Sequence, residues 1–357
     1  MKRAIQSLLF LCFFSIIIPA QAATIVVDPN GGADVLDLEE ALVLAVDGDI
    51  IEFVDGTHVF VPNISISFGL TFRSASGDPE SCVLTANVDG THLSFSGPSV
   101  SQVELQSMTF SEISIFVNDI PYSASQCNFS NAWVNCTNSG LPGILENCKL
   151  NESLFGFCGG QIVVTSCEFS NNSHLGSCFG YDTSLSDLIV SSCSFSVNSG
   201  IAATLSENYS VQIDSSSFTE NDNGGFLRLI GNNVGSILID SCLFADNSCP
   251  NFPAVRLESP AQIINSTFRN NHAEVLTAGV LVSGGLVTFD NVDFVENTLT
   301  VGPYSDAYGM GVCTLHLNCC AVNEANVGGD GVVEFTSDGC TVSSEMKNWG
   351  NIKAIYR

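Results

Sequence analysis

Arg228 and Arg256 are the residues of this sequence whose type and placement most readily suggest chemistry. Each arginine stands between two apolar residues, in the triplets at 227–229 and 255–257. Alternate side chains of an extended chain point to opposite faces, so both arginines should point away from their apolar neighbours. Only one other basic residue, Arg269, lies between residues 167 and 300. Two guanidinium groups side by side could hold a carboxylate or sulfate group through paired hydrogen bonds.

Acidic residues near the two arginines leave a second interpretation open. Asp222 and Glu258 lie close to them in sequence, and Asp182 lies further away. These carboxylates could belong to a binding site, or they could neutralise the arginines as ordinary surface ion pairs. The five histidines are scattered and form no motif. The sequence therefore predicts a ligand site at Arg228, Arg256, Glu258 and Asp222, and it leaves catalytic residues unassigned.

A group of cysteines near the end of the chain has a spacing that metal sites also use. Cys313, His316, Cys319 and Cys320 follow one another closely, and Cys340 comes later. Zinc would accept such ligands. Crowded cysteines in an exported chain more often form disulfide bonds, so a cap held by disulfides is the preferred interpretation.

Three aspartates near the start of the chain raise the question of calcium. Asp47, Asp49 and Asp55 stand beside glycines, between segments of apolar residues. Carboxylate oxygens bind calcium, but aspartate is also a common turn residue because it bonds nearby backbone amides. No cofactor or metal is predicted, and calcium remains an alternative.

The elements that must position these residues follow from a repeat. A phrase of Phe, two variable residues and Asn occurs six times between residues 167 and 297, and weaker copies centre on Phe110, Phe129 and Leu150. The copies return about every 23 residues, an interval typical of stacked supersecondary units. Short runs with alternating apolar residues, separated by Gly, Asn, Asp and Ser, indicate strands and turns. The sequence thus predicts an all-β fold, a parallel β-helix.

The repeat also predicts what its two constant residues do. The phenylalanines should stack on one another inside successive coils, and the asparagines should form a hydrogen-bonded ladder at a corner, where Asn tolerates left-handed backbone angles. The stack would comprise Phe169, Phe195, Phe218, Phe244, Phe268 and Phe294. The ladder would comprise Asn172, Asn198, Asn221, Asn247, Asn271 and Asn297.

Cysteine occurs five times at the position two residues before the repeat centre, at 127, 148, 167, 193 and 242. The period of two places these thiols inside the coils as well. A buried stack of small apolar side chains and a set of disulfides are both open interpretations.

The Phe-x-x-Asn phrase resembles the repeats of chlamydial polymorphic outer membrane proteins, and residues 24–300 resemble the pectate-lyase-like superfamily of right-handed β-helices. That resemblance implies a right-handed solenoid, and it leaves activity open because the superfamily includes lyases, hydrolases, adhesins and chains without known catalysis. The chlamydial repeat also has a Gly-Gly-Ala-aliphatic phrase, of which only fragments occur, at 224–226 and 284–286. No long C-terminal barrel follows, so autotransport is not expected.

The start of the chain has the form of a secretory signal peptide. Lys2 and Arg3 precede an apolar segment at 8–18, and the small residues at 20–22 suit cleavage. The protein is therefore expected to be secreted or at the cell surface, with no transmembrane segment after the signal. The predicted organisation is a signal peptide (1–22), an N-terminal cap with a short helix at 37–46 and the first coil (23–60), a right-handed β-helix (61–300), a Cys-rich cap (301–345) and a basic tail (346–357).

The net charge of the chain limits the classes of binding partner that can be expected. The 357 residues include 37 acidic and 10 basic side chains, a formal net charge of −27. Nucleic acid is excluded as an expected partner because it needs a basic surface. A polysaccharide or another cell-surface component is the expected partner. The preferred function is non-catalytic binding of glycans or surfaces; the alternatives are a polysaccharide lyase or glycoside hydrolase, and a purely structural repeat protein.

Overall fold

The chain folds into a right-handed parallel β-helix. A computed structural model describes residues 22–336 except 61–62, 87–89, 98–100, 138–140, 159, 173–184, 200–202, 207–209, 223–226, 231–235, 249 and 251–252. Every strand pair within these residues is parallel, and each coil passes through the sheets in the same order. The signal peptide and the basic tail predicted from the sequence lie outside the described residues.

Two sheets run along most of the solenoid. Sheet A consists of Thr24–Val27, Asp49–Phe53, Leu70–Ser74, Val103–Gln106, Tyr122–Ser125, Gly143–Glu146, Gly160–Thr165, Leu185–Ser191, Ser210–Asp214, Ile237–Asp240, Ala261–Ile264, Gly285–Asp290, Cys313–Asn318 and Val332–Thr336. Sheet B consists of Gly56–Phe60, Cys82–Ala86, Thr109–Ser111, Asn128–Ser130, Lys149–Asn151, Glu168–Ser170, Ser194–Ser196, Ser217–Thr219, Leu243–Ala245, Thr267–Arg269 and Asp293–Val295.

The third side of each coil follows sheet B and precedes the next strand of sheet A. Sheet C covers it in the N-terminal half, with Ile64–Ile66, His92–Ser96, Ser114–Asn118, Trp133–Thr137 and Leu154–Cys158. Sheet D covers it later, with Ala203–Ser206, Leu227–Ile230, Val255–Leu257, Val280–Val282, Ala307–Gly309 and Val327–Gly329. A small sheet E pairs His272–Val275 with Thr298–Val301.

The repeated phenylalanines form one internal stack, as the repeat predicts. Neighbouring rings from Phe169 to Phe268 are nearly parallel, with centroids 4.6–4.8 Å apart. The last pair, Phe268 and Phe294, is 5.1 Å apart. Each ring lies in the middle of a three-residue strand of sheet B, where alternation turns it inward. The stack therefore holds neighbouring coils in register.

The repeated asparagines form the predicted ladder. Each Nδ2 from Asn172 to Asn271 donates to Oδ1 of the asparagine in the next coil, over 2.8–3.1 Å. The same Oδ1 atoms accept from backbone amides, so the ladder satisfies buried polar groups. The asparagines were expected to adopt left-handed backbone angles, but they do not. The residue before each asparagine adopts them instead, including Val197 and Glu220.

The cysteine column is a buried stack of thiols rather than a set of disulfides. The five cysteines at 127, 148, 167, 193 and 242 are all buried and free. The amides of Cys148 and Cys167 donate to the sulfur of the next cysteine, at 3.4 Å in both cases. Ser216 takes the same place in its coil and accepts from the amide of Cys193. Small side chains with an acceptor atom therefore fill this column.

A short helix closes the N-terminal end of the solenoid. It spans Leu38–Leu44, within the predicted segment, and the Asp37 carboxylate caps it by accepting from the amide of Glu40. Leu38 and Ala41 are buried against the first coil. Asp49 accepts from the amides of Ala23 and Val46, so it acts as a turn residue. Gly56, directly after Asp55, begins a strand of sheet B.

The β-helix extends beyond the expected boundary at residue 300. Two strands of sheet A and two of sheet D lie after it, so much of the expected Cys-rich cap belongs to the solenoid. Cys313 points inward and His316 outward on the same strand, which separates two of the residues with zinc-like spacing. Cys319 is disulfide-bonded. Within the described residues, no helix is long and apolar enough to span a lipid bilayer.

Candidate functional site

The two arginines singled out by the sequence are neighbours in sheet D. Arg228 and Arg256 are paired in register on adjacent parallel strands. Their backbones are therefore about 4.8 Å apart along the solenoid axis. The Arg256 side chain lies between the buried residues Val255 and Leu257, so it points to the outer face. The side chain of Arg228 lies outside the described part of the structure.

The predicted acidic partners are placed differently. The Glu258 Oε1 atom lies 2.6 Å from Nη2 of Arg256, and both side chains are about a quarter exposed. Asp222 lies at the corner after the asparagine ladder, where it pairs with Ser199 and Ser248. The structure thus brings Arg256 and Glu258 together and places Asp222 on another part of its coil.

Two tyrosines extend the outer face of sheet D beyond the arginines. Register pairs Arg256 with Leu281, Leu281 with Tyr308, and Tyr308 with Gly328. The Tyr304 ring lies over Gly328, where a Cβ atom would be 2.4 Å from its Cζ atom. The rings of Tyr304 and Tyr308 are stacked, with centroids 5.9 Å apart. Charged and aromatic groups therefore share one row of this face.

A second concentration of polar and aromatic groups lies on the same side of the solenoid, in its N-terminal half. Glu112, Asn131 and Glu152 occupy equivalent corner positions in three successive coils, each with a left-handed backbone. Backbone hydrogen bonds of 3.0 and 3.1 Å from Glu112 and Asn131 join these corners to the next coil. The two glutamate backbones are therefore separated by two coil spacings, about 9.6 Å.

Aromatic side chains line the outer face of sheet C beside this corner. The Phe116 ring contacts His92 on one side and Trp133 on the other, with centroids 5.6 and 5.4 Å apart and edge-to-face geometry. Trp133 is 44% exposed, although it is a large hydrophobic side chain. Exposed tryptophan on a rigid strand costs solvation free energy unless a partner covers it, so this row is a candidate contact surface.

The corner residues and Trp133, from the aromatic row, border one groove of about 390 Å³. Glu112, Asn131 and Glu152 form one border, while Ser114, Trp133 and Leu154 come from the adjoining strands. An aromatic face can stack on the apolar face of a ring-shaped ligand. Carboxylate and amide groups can accept hydrogen bonds from its hydroxyls, and the Asn131 amide can also donate. The groove therefore suits a polyhydroxylated ring.

The floor of the groove is tied to the asparagine ladder. The amide of Ala132 donates to Oγ of Ser153, at 3.0 Å, and the amide of Ser153 donates to Oδ1 of Asn172, at 2.7 Å. Ala132 and Ser153 therefore occupy the places that asparagine fills in later coils. Because buried hydrogen bonds fix these turns, Glu112, Asn131 and Glu152 project from a rigid support.

The sequence interpretation did not identify this groove. His92 belongs to no sequence motif, and the weak repeat copies around Phe110, Phe129 and Leu150 predict only the fold. A signal was present nonetheless: Trp133 stands four residues after Phe129, at a position that the alternation of the strand turns outward. A tryptophan at an outward position is unusual enough to mark a candidate site.

Metal ligands do not assemble anywhere in the described ranges: no three His, Cys, Asp or Glu side chains there come close enough to hold an ion. Asp47, which the sequence left open to calcium, accepts from the amides of Gly69 and Ser101. Asp49 likewise serves backbone amides. These contacts agree with the turn interpretation of both aspartates.

Comparison with known proteins gives structural likenesses only. No protein-family model matches the chain. No curated protein matches it either. The catalytic unit of a GH87 alpha-1,3-glucanase from Streptomyces thermodiastaticus is similar over 91% of this chain and 69% of that one, with 11% identity and a TM-score of 0.47. The Dettilon tailspike protein is similar over 90% and 67%, with 10% identity and a TM-score of 0.43. The alginate lyase AlyF-OU02 is similar over 91% and 88%, with 12% identity and a TM-score of 0.33.

Proposed function

We propose that this protein is a carbohydrate-active β-helix that binds a polysaccharide chain in the groove on sheet C. The observation that carries the proposal is the exposed Trp133 ring beside Glu112, Asn131 and Glu152. Sugars present an apolar ring face and a rim of hydroxyls, and the groove offers an aromatic surface and a row of acceptors beside it. The partner is therefore a glycan, free or on a cell surface, and not a nucleic acid.

Binding measurements on the Trp133→Ala variant test this proposal. Affinity for the polysaccharide should fall about tenfold or more, because a lost aromatic contact and its buried area exceed ~1.4 kcal/mol. Soluble β-1,3-glucan, dextran, alginate and polygalacturonate would serve as probes, by calorimetry and affinity electrophoresis. The Ile144→Ala variant is a matched control, because Ile144 is 40% exposed on sheet A of the next coil.

Two results would overturn the proposal. One is that the wild-type protein retains none of the probes. The other is that Trp133→Ala and Ile144→Ala bind as well as the wild type. Equal thermal melting of the three proteins would show that any difference arises at the groove and not in the fold.

A second candidate function is glycoside hydrolysis in the same groove. Its specific support is the pair of glutamates, whose backbone separation of about 9.6 Å is close to the roughly 6.5–9.5 Å between the carboxyl groups of inverting glycosidases. A protonated glutamate would give its proton to the glycosidic oxygen as the bond to the anomeric carbon breaks. The other carboxylate would take a proton from the water whose oxygen bonds to that carbon.

Release of reducing ends decides between binding and hydrolysis. Glu112→Gln and Glu152→Gln should each abolish the release of reducing ends. Each variant should still bind the polysaccharide, because Trp133 is unchanged. A wild-type protein that binds glycan without releasing ends would favour binding alone, which is the function preferred from the sequence. Formation of unsaturated products would indicate a lyase instead.

We also infer export to the cell surface or medium, with residues 1–22 as the signal. The support is the basic start, apolar segment and small residues before position 23. A glycan-binding solenoid would meet its ligand there. The resemblance of the Phe-x-x-Asn phrase to chlamydial repeats fits a surface protein, and it is proposed here as a likeness of repeat design.

A further inference from the structure

We propose that the groove on sheet C selects polysaccharides whose sugars carry free amino groups, with Glu112 and Glu152 holding the protonated amines beside the Trp133 ring. The inference rests on the proposed function, because it concerns the same groove, and it adds the class of substrate. Neutral glycans bind there more weakly, and acidic glycans are repelled. Three observations carry the inference: the charge of the groove, the position of the basic residues and the exposed indole ring.

The two glutamates give the groove its charge. Both side chains are exposed at the border of the groove, and Asn131 lies between them. The ion pairs found among the described residues are those of Arg73 and Arg256, so neither glutamate has a basic partner there. The carboxylate oxygens are therefore open to N–H donors from a ligand.

The basic residues lie away from the groove. Within the described residues, no lysine or arginine is part of its lining. Lys149, the nearest basic residue to Glu152 in sequence, lies on sheet B in register with Glu168. The groove therefore presents negative charge with no positive side chain in its wall, which attracts an ammonium group and opposes a carboxylate or sulfate. The net charge of −27 adds a field of the same sign at longer range.

Trp133 provides a surface on which a cation and a sugar ring can be bound together. An indole face attracts a cation more strongly than the other aromatic rings do, and it also packs against apolar surface. The side chain is 44% exposed, so a ligand can reach it. Register pairs Trp133 with Ser114 on one side and Leu154 on the other. The ring thus belongs to the middle coil of three, and the backbones of the two glutamates lie one coil to either side, about 4.8 Å along the axis.

The corner that carries the two glutamates continues along the solenoid and supplies a matched control. The same left-handed position is held in later coils by Asn171, Val197, Glu220, Asp246, Asn270 and Glu296. Glu296 is exposed, and it lies six coil steps beyond Glu152. This interval is about 29 Å along the axis. Neutralising Glu296 changes the net charge as much as neutralising Glu152 does, but it leaves the groove unchanged.

The test compares a glucosamine hexasaccharide with its fully N-acetylated counterpart. The two ligands have the same length and linkage and differ in the charge of the amine, which is protonated at about pH 5.5. Calorimetry on the wild type should give about tenfold tighter binding of the free amine. An exposed ion pair contributes up to about fivefold in affinity, and the groove offers two such pairs.

The variants locate this preference in the groove. Glu112→Gln and Glu152→Gln should each reduce the affinity ratio from about ten to about three, and the double variant should bring it close to one. The acetylated hexasaccharide should bind these variants almost as it binds the wild type, because glutamine still bonds to hydroxyls. Trp133→Ala should weaken both ligands, whereas Glu296→Gln should keep the ratio of the wild type.

Four results would overturn the selection of amino sugars while the groove remains a glycan site. The first is equal affinity of the wild type for the two hexasaccharides. The second is an equal fall of the ratio in Glu152→Gln and Glu296→Gln, since net charge alone would then explain it. The third is hexalysine that binds as tightly as the amino hexasaccharide, which would show that any polycation is accepted. The fourth is tighter binding of polygalacturonate than of the amino sugar.

A different result would overturn the proposed function together with this inference. The two hexasaccharides join the four polysaccharides named above as probes. If none of these six carbohydrates binds in a way that depends on Trp133, the groove is not a glycan site. Equal thermal melting of the wild type and the variants would exclude loss of folding as the cause of any difference.

Discussion

At the scale of single residues, Phe218 shows how the repeat stabilises the solenoid. Its ring lies between Phe195 and Phe244, with centroid distances of 4.7 and 4.8 Å and nearly parallel planes. The side chain is almost completely buried. Removal of one ring would leave a cavity between two others that the stacked coils hold apart.

We expect the Phe218→Ala substitution to reduce the free energy of unfolding by about 3–5 kcal/mol, as large-to-small changes of buried phenylalanine do. Denaturant titration followed by circular dichroism would measure the change. Thr219→Ala provides the control, because Thr219 points outward from the same strand and should change stability by no more than about 0.5 kcal/mol. Equal stability of the two variants would contradict an energetically important stack.

The buried environment of the cysteine thiols next to this stack determines their reactivity. Burial raises the pKa of Cys242 to about 12, and hydrogen bonding to Cys148 together with burial raises the pKa of Cys167 to about 12. Only the thiolate reacts readily, so these side chains are inert at neutral pH while the coils are intact. Cysteine in this column is therefore a packing residue.

At the scale of elements, the asparagine ladder ends on a carboxylate. Nδ2 of Asn297 donates to Oδ1 of Asp306 at 3.1 Å, and Asp306 is buried. Burial raises the pKa of Asp306, while hydrogen bonds from Asn297, Asn326 and Ser305 oppose that rise. The protonated form is thus favoured by folding relative to the unfolded chain.

This direction fixes the pH dependence that Asp306 should cause. Its stabilising contribution is complete below the unfolded aspartate pKa of about 3.9 and is lost as pH rises through the higher folded value. The unfolding free energy of wild type minus that of Asp306→Asn should therefore decrease from about pH 4 to pH 8. Urea titrations of both proteins at several pH values measure this difference, with the exposed Asp330→Asn as control. A difference that stays constant or rises with pH would contradict the assignment.

At the scale of the whole molecule, the net charge of −27 opposes anionic ligands at long range. The groove must then recognise an acidic polymer against a repulsive field. Repulsion slows diffusional encounter and is screened over about 30 Å at 0.01 M salt but only about 10 Å at 0.1 M.

The association rate of alginate or polygalacturonate should therefore increase several-fold as salt rises from about 0.01 M to 0.3 M. The rate for dextran or β-1,3-glucan should change little, which makes the neutral polymers the internal control. Stopped-flow or surface-based kinetics would measure both. An association rate for the acidic polymers that falls with salt would show that local attraction by the arginines outweighs the net charge.

The sequence by itself determined the repeating part of this protein. Phe and Asn recur at fixed separation, and a period-two strand leaves one inward direction for the ring and one corner for the amide. The stack, the ladder and the parallel coil follow from that local rule. The helix at the N-terminal end was likewise predictable, since Asp37 and the acids after it form a local start signal.

Only the tertiary structure decided how the third side of each coil is arranged. Its strands vary in length and position between sheets C and D, so their register depends on contacts between coils and not on a local motif. Ile113, Ala132 and Ser153 stand where asparagine marks the corner elsewhere, and the weak copies therefore concealed that Glu112, Asn131 and Glu152 share one border. Trp133 became part of a groove because stacking brings residues about 20 or more positions apart to adjacent coils.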